Sequence, residues 1–222
     1  MKVGTDAVLL GAWVNIHQAQ TILDIGTGSG VIALMLAQRT AHQPAIHIDA
    51  VELEAADADQ ARDNATQSPW APRLHVHQVS IQQFHPPGTY DLVVSNPPFF
   101  NNSLMPPGER RGQTRHTVTL DHHTLVQEVT RLLSPKGTFN VVLPVTEGNQ
   151  FITLALQTGL HLSRQWAFRT RQGKPVERWL LEFAKLPVPL DTVEKGEILL
   201  YGQGLEWSDP YRKLTEAFYL RR

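Results

Sequence analysis

The run Ser95-Asn96-Pro97-Pro98-Phe99 has the makings of a clamp for a planar amino group. The Asn96 side-chain oxygen and the Pro97 backbone carbonyl can each accept one hydrogen of an exocyclic NH₂. The two prolines hold both acceptors rigidly, and Phe99 can stack on the ring that carries the amine. Such an amine is a poor nucleophile because its lone pair is delocalised into the ring. Two acceptors that draw the nitrogen toward pyramidal geometry aim the lone pair at an electrophile, and the product sheds its proton readily. Catalysis is then mainly positioning and electrostatics. Asn96, Pro97, Pro98 and Phe99 are the candidate catalytic residues. On its own, N-P-P also reads as a strand-ending turn capped by Asn.

A second constellation is Asp24-Ile25-Gly26-Thr27-Gly28-Ser29-Gly30. It falls between an apolar strand and a helix, where open α/β sheets bind ligands. Its spacing is G-x-G-x-G, unlike the dinucleotide G-x-G-x-x-G, with Ala33 as a small residue for helix packing. Glycines let the backbone approach a ligand closely. The acid ahead of them, Asp24, would repel a pyrophosphate but can accept hydrogen bonds from a ligand ammonium. Glu52, at the end of the next strand, is placed to accept from both ribose hydroxyls. A ligand with a ribose, an ammonium and no phosphate is S-adenosylmethionine (SAM), whose sulfonium methyl is the electrophile that the amine clamp requires. The alternative for the loop alone is a glycine-rich turn with no ligand.

The surrounding elements must bring these groups together. Apolar strand-like runs alternate with amphipathic helices, the pattern of a mostly parallel sheet covered on both faces. A helix is expected from Thr5 to Val14, strands at Thr21 to Ile25, Ile46 to Leu53, Leu74 to Val79 and Tyr90 to Ser95, and helices at about 31–38 and 54–66 between them. The stretch from Phe99 to Asp121 has no periodicity, and a loop of that length is usually functional or disordered. Beyond it the pattern predicts a helix at about 122–133, a turn at Ser134-Pro135-Lys136-Gly137 and a strand from Thr138 to Leu143. A helix at about 147–158 and an antiparallel pair, Leu160 to Phe168 with Val176 to Ala184, come next. A short run, Ile198 to Tyr201, and a terminal helix, Pro210 to Leu220, close the chain.

Composition narrows the chemistry. With no cysteine, disulfide scaffolds, cysteine–zinc and iron–sulfur sites and cysteine nucleophiles are excluded. Hydrophobic residues make up 41% of the chain and charged ones 18%, a globular balance. No apolar run approaches the roughly 20 residues of a membrane span, and the N-terminus lacks a signal-peptide pattern, so a soluble, cytosolic protein is expected. His75 and His77 share a strand face as metal ligands can, but no third ligand is identifiable, and no metal is expected. The reading is one domain over residues 1–222, with 191–222 as an appendage packed on it.

The glycine loop and the N-P-P-F motif, with this element order, resemble the class I SAM-dependent methyltransferases that modify amino groups of adenine, guanine or glutamine. Met1-Lys2-Val3-Gly4-Thr5-Asp6 with Leu10-Gly11-Ala12-Trp13 is similar to the opening of the bacterial tRNA1(Val) adenine N6-methyltransferases. The segments Asp49 to Glu54, Gln67-Ser68-Pro69-Trp70, Arg115-His116-Thr117 with Leu120, and Ala217 to Leu220 extend that similarity over nearly the whole chain. The resemblance implies a Rossmann-like, seven-stranded, mostly parallel sheet with one antiparallel edge strand and helices on both faces. It implies SAM as cofactor, held by Lys2, Thr5, Asp24, Gly26 and Glu52; Gly28, Gly30, Ser80 and Asn96 are further candidate cofactor-binding residues. It also implies methylation at N6 of the adenine immediately 3′ of the anticodon. Where the family commonly has an acid, this chain has Ser80, with Gln82 nearby. Members usually carry a further basic and aromatic stretch ahead of the segment that begins here at Met1. Phe99 is also frequent in guanine-N2 methyltransferases acting on rRNA, which stays open as an alternative, as do a glutamine methyltransferase and a silent RNA-binding subunit.

An anticodon-loop base is poorly paired, so extruding it costs little, and its phosphates need cations near the cleft. Arg110, Arg111 and Arg115 in the loop after N-P-P-F, and Arg169, Arg171 and Lys174 further on, are the candidate RNA-binding residues. The formal charge is −1, from 20 Lys and Arg against 21 Asp and Glu. That near-balance does not exclude an RNA partner, because the cofactor's acids and these cations occupy separate segments.

Overall fold

The computed structural model describes residues 4–98 and 120–219. Period-two alternation divides each central strand between two faces. In β1 (Thr21–Ile25), Ile22 joins one core cluster while Leu23 and Ile25 join the other. The first cluster is closed by α1 (Thr5–Trp13), α2 (Val31–Arg39), α3 (Ala55–Thr66) and α6 (Asp209–Thr215). The second is closed by α4 (His122–Leu132) and α5 (Val145–Gln157). Helix α4 starts at Asp121, whose carboxylate accepts from Thr124 N at 2.8 Å, an N-cap that satisfies one orphan donor.

The remaining strands are β2 (His47–Glu52), β3 (Leu74–Gln78), β4 (Tyr90–Ser95), β5 (Leu133–Pro144), β6 (His161–Arg169), β7 (Arg178–Ala184) and β8 (Glu194–Leu199). They form one sheet in the order β3-β2-β1-β4-β5-β7-β6-β8. Only β7 runs against its neighbours, β5 and β6; the other pairings are parallel. Two details correct the sequence expectation. The sheet has eight strands where seven were expected, and the antiparallel strand lies inside it, not at its edge. The extra strand, β8, buries only Ile198, so its Glu- and Lys-rich sequence carries no apolar alternation to announce it.

The expected turn at 134–137 is a bulge inside β5. The pairing jumps from Tyr90↔Leu133 to Leu92↔Thr138, so the intervening residues loop out of the ladder. Pro135 has no N–H to donate, and a side-chain carbon at Gly137 would stand 2.7 Å from the Tyr90 carbonyl oxygen.

Because β6 and β8 run in the same sense as β1, β2 and β4, their ends share one edge of the sheet. The glycine loop after β1, Glu52 at the end of β2, Asn96 after β4, the β6–β7 connection and the segment after β8 all gather there. Charge, glycine and aromatic residues that are far apart in the chain thus meet at this carboxyl edge.

Candidate active site

The glycine loop turns on left-handed residues: φ is +70° at Gly26, +56° at Gly28 and +82° at Gly30, values that favour glycine. Gly26 N and Thr27 N both donate to the Val51 carbonyl, at 2.9 and 3.1 Å, which ties the loop to the end of β2. A side-chain carbon at Gly26 would meet no atom within 4 Å, so that face opens on space. At Gly30 the constraint is close packing, since such a carbon would lie 3.4 Å from Ala61 Cβ.

Two carboxylates organise this loop in different ways. Asp24 is fully buried, and its Oδ2 accepts from Thr27 Oγ1 at 2.6 Å and from Ala33 N at 3.2 Å. Its Oδ1 is buried with no hydrogen-bond partner. Burial pushes this carboxyl up to about 6, the hydrogen bonds from Thr27 and Ala33 oppose the shift, and the charge of Glu52 adds to it. Glu52 is half-buried. Its Oε2 accepts from Gly28 N at 2.8 Å, while Oε1 accepts from Leu53 N at 2.8 Å and Glu54 N at 3.0 Å. Three backbone N–H groups thereby fix its orientation.

The amine clamp is anchored from below. Ser95, fully buried, donates from Oγ to the Ile25 carbonyl at 2.9 Å, locking the end of β4 to the end of β1. Asn96 is half-buried, Pro97 buried and Pro98 exposed. Phe99 lies outside the described residues.

A cavity of about 1300 Å³ connects the two constellations. Thr5, Gly26, Gly28, Glu52, Ser80, Asn96, Pro97 and Pro98 all line it. Lys2 lies outside the described residues, and Gly30 supports the loop from behind. Asp24 sits beneath the loop, fully buried, with Oδ2 held by Thr27 and Ala33 and Oδ1 unpartnered. The donor and acceptor set suits SAM. The Glu52 carboxylate is fixed as an acceptor, the Asp24 carboxyl keeps one unpartnered oxygen beneath the loop, and the face of Gly26 opens on space.

The RNA-binding candidates divide. Arg110, Arg111 and Arg115 lie outside the described residues. Arg169 is engaged by Glu197 and by the Lys174 carbonyl. Arg171 donates to the Gly204 carbonyl and lies over the Tyr201 ring, 5.0 Å from its centroid. Lys174 is exposed. Sequence reasoning missed the far wall of the cavity, where Phe168, Thr170, Glu177, Arg178 and Leu200 stand. It also missed the bond from Arg178 Nε to Asp6 Oδ2, 2.9 Å long. These residues carry no motif; their only signal was the antiparallel pair that brings them to the carboxyl edge.

The histidines on β2 and β3 serve a buried acid. His47 Nε2 and His77 Nε2 lie 2.8 and 2.6 Å from the Asp49 carboxylate, and Tyr90 donates to it at 2.7 Å. Among the described residues no group of three or more side chains could hold a metal ion, and no helix is long and apolar enough to cross a membrane.

Comparison with known proteins follows the same division. The methyltransferase small domain model matches residues 3–159, which include the glycine loop, Glu52 and Asn96. Over its whole length the chain is similar to the tRNA1(Val) (adenine(37)-N6)-methyltransferase of Vibrio campbellii, at 43% identity over 100% of this chain and 90% of that protein. The protein of the same name from Serratia proteamaculans is 46% identical over 99% of this chain and 84% of its own length. Among solved structures, a predicted O-methyltransferase from Agrobacterium tumefaciens superposes with a TM-score of 0.70 at 16% identity, covering 96% of each chain. The glycopeptide N-methyltransferase MtfA complexed with SAM gives 0.60 at 14% identity, over 82% of this chain and 93% of that one. At those identities the likeness is one of fold.

Proposed function

We infer that this chain, which belongs to the methyltransferase small domain family and within it to the tRNA1(Val) (adenine(37)-N6)-methyltransferases, transfers a methyl group from SAM to N6 of an adenine in tRNA. The target is the adenine immediately 3′ of the anticodon. The enzyme works in the cytoplasm without a metal, as one domain with residues 191–222 an appendage on it. The observation that carries this reading is the shared cavity: Asn96 and Pro97 line the same space as Gly26, Gly28 and Glu52.

When bound, SAM supplies a sulfonium-linked methyl group. Glu52, fixed by three N–H groups, receives the ribose hydroxyls, and Ser80 lines the same cavity. Thr5, on the cavity wall, and Lys2 would hold the cofactor too, and buried Asp24 would set negative charge beneath the glycine loop. Asn96 Oδ1 and the Pro97 carbonyl each take one hydrogen of the target amine, while Phe99 stacks on the base. The two acceptors direct the nitrogen lone pair toward the cofactor side of the cavity. Forming the N–C bond would break the methyl–sulfur bond and leave the neutral thioether S-adenosylhomocysteine. The methylated nitrogen, cationic and acidic, then passes one proton to solvent, with Asn96 Oδ1 and the Pro97 carbonyl orienting the amine as hydrogen-bond acceptors.

The test is transfer from labelled SAM to tRNA by the native enzyme and by Asn96→Ala, followed by nucleoside analysis. Label in N6-methyladenosine, with a loss of about 100-fold or more in the variant, is the expected result. An Asn96→Ala enzyme as active as the native one would remove the mechanism.

A further inference from the structure

The segment after β8 is built as a hairpin on the rim of the cavity. Leu200 N and Tyr201 N donate to the carbonyls of Arg169 and Thr170, at 2.9 and 3.0 Å, so the chain continues the β6 pairing past the sheet. It then folds back: Tyr201 and Trp207 form an antiparallel bridge, Gly202 N donates to the Glu206 carbonyl at 3.0 Å, and Gly204 turns at φ +72°. Arg171 clasps the hairpin to the β6–β7 connection by donating to the Gly204 carbonyl and lying over the Tyr201 ring.

This hairpin exposes apolar surface where a small loop has no structural need of it. Leu205 at its tip is 85% exposed, and Trp207 is 37% exposed. Trp207 is braced from behind by Tyr211 and Tyr219, with ring centroids 5.4 and 4.7 Å away, so its outer surface is held rigidly. The patch adjoins the active site, since Thr170 and Leu200 stand in the cavity wall with Asn96. Cations border it: Arg171 commits one of its five N–H donors to Gly204, and Lys174 is exposed, whereas Arg169 is neutralised by Glu197. The hairpin itself carries Glu206 and no cation. It therefore offers stacking and apolar contact, and the neighbouring connection offers phosphate contact. That combination is what unpaired RNA requires. The hairpin also lies outside residues 3–159, the part matched by the methyltransferase small domain.

We propose that residues 201–207 form a second nucleotide-binding surface, on which an unpaired base next to the target adenine rests against Leu205 and Trp207 while Arg171 and Lys174 neutralise the adjoining phosphates. The proposal deepens, and rests on, the reading of the chain as a tRNA methyltransferase.

The test is binding of a fluorescently labelled anticodon stem–loop RNA to the full chain, read by anisotropy alongside methyl transfer. Leu205→Glu sits on an exposed tip and keeps the native melting temperature; Arg171→Gln is the second variant. Leu205→Glu is expected to bind the RNA more weakly by about fivefold or more, as for losing one base contact, and Arg171→Gln to bind more weakly with a shallower salt dependence, as for losing one phosphate contact. Native methyl transfer to tRNA together with native RNA affinity in both variants overturns the proposal and leaves the function standing. Weakened binding in the variants with no transfer by the native enzyme supports the surface and overturns the function. A native enzyme that does not bind the RNA overturns both.

Discussion

At Asp24, burial ties the stability of the site to the charge it carries. Its carboxyl is pushed up to about 6 by burial foremost, from an ordinary 3.8. The folded protein therefore holds this proton more tightly than the unfolded chain. The stabilising contribution is full below the ordinary value and is lost as the pH climbs to about 6, a cost of about 3 kcal/mol once the group is ionised. Asp24→Asn keeps an acceptor for Thr27 and Ala33 and removes the charge. It is expected to raise the melting temperature of the ligand-free protein about twice as much at pH 8 as at pH 5. The ionised carboxylate that costs stability attracts a cationic ligand, so native affinity for SAM should rise between pH 5 and 7, and the rise should flatten in the variant. Titration calorimetry of both proteins across that range checks it; parallel curves would separate Asp24 from the cofactor.

Among the elements, α1 brings its N-terminal turn to the cavity. Its first turn carries Thr5 and Asp6 on the rim, and Arg178 at the start of β7 holds Asp6 from the other side. Both partners are partly exposed, 28% and 18% at the side chain, so the pair contributes little to global stability. Its effect is on position. Arg178→Met or Asp6→Asn is expected to raise the KM for SAM about two- to fivefold, the range of an exposed ion pair, with kcat changed less. Steady-state kinetics with SAM varied reads the split. This pair joins residues 172 positions apart, and that separation is why it could not be read from sequence. Asp24, the glycines, Glu52 and Asn96 were legible because each lies at, or just after, the carboxyl end of its strand, so strand periodicity places it. β8 was not, because it joins the sheet through backbone pairing to β6 with a single buried side chain. The depth of Asp24 was equally hidden: its motif tells which residue it is, while the loop folding over it decides what it touches.

For the whole molecule, a formal charge of −1 conceals a division. Asp24 and Glu52 stand at the glycine-loop half of the carboxyl edge, while Arg171 and Lys174 stand on the β6–β7 connection. Binding of tRNA should therefore weaken with salt despite the balanced total. Arg171→Ala and Lys174→Ala are each expected to lower the slope of log K against log salt by about one. Arg169→Ala should lower it less, because Glu197 already engages that guanidinium. Equal slopes in all four proteins would remove these cations from the RNA surface. The central claim is narrower than binding: it is that the methyl group goes to N6 of one adenine in tRNA. Its most direct test uses two unmodified tRNA1(Val) transcripts, one with adenine and one with guanine immediately 3′ of the anticodon, each incubated with the enzyme and labelled SAM and then digested to nucleosides. The account predicts N6-methyladenosine from the adenine transcript and no label from the other. Label in N2-methylguanosine, or equal N6-methyladenosine from both transcripts, would contradict it.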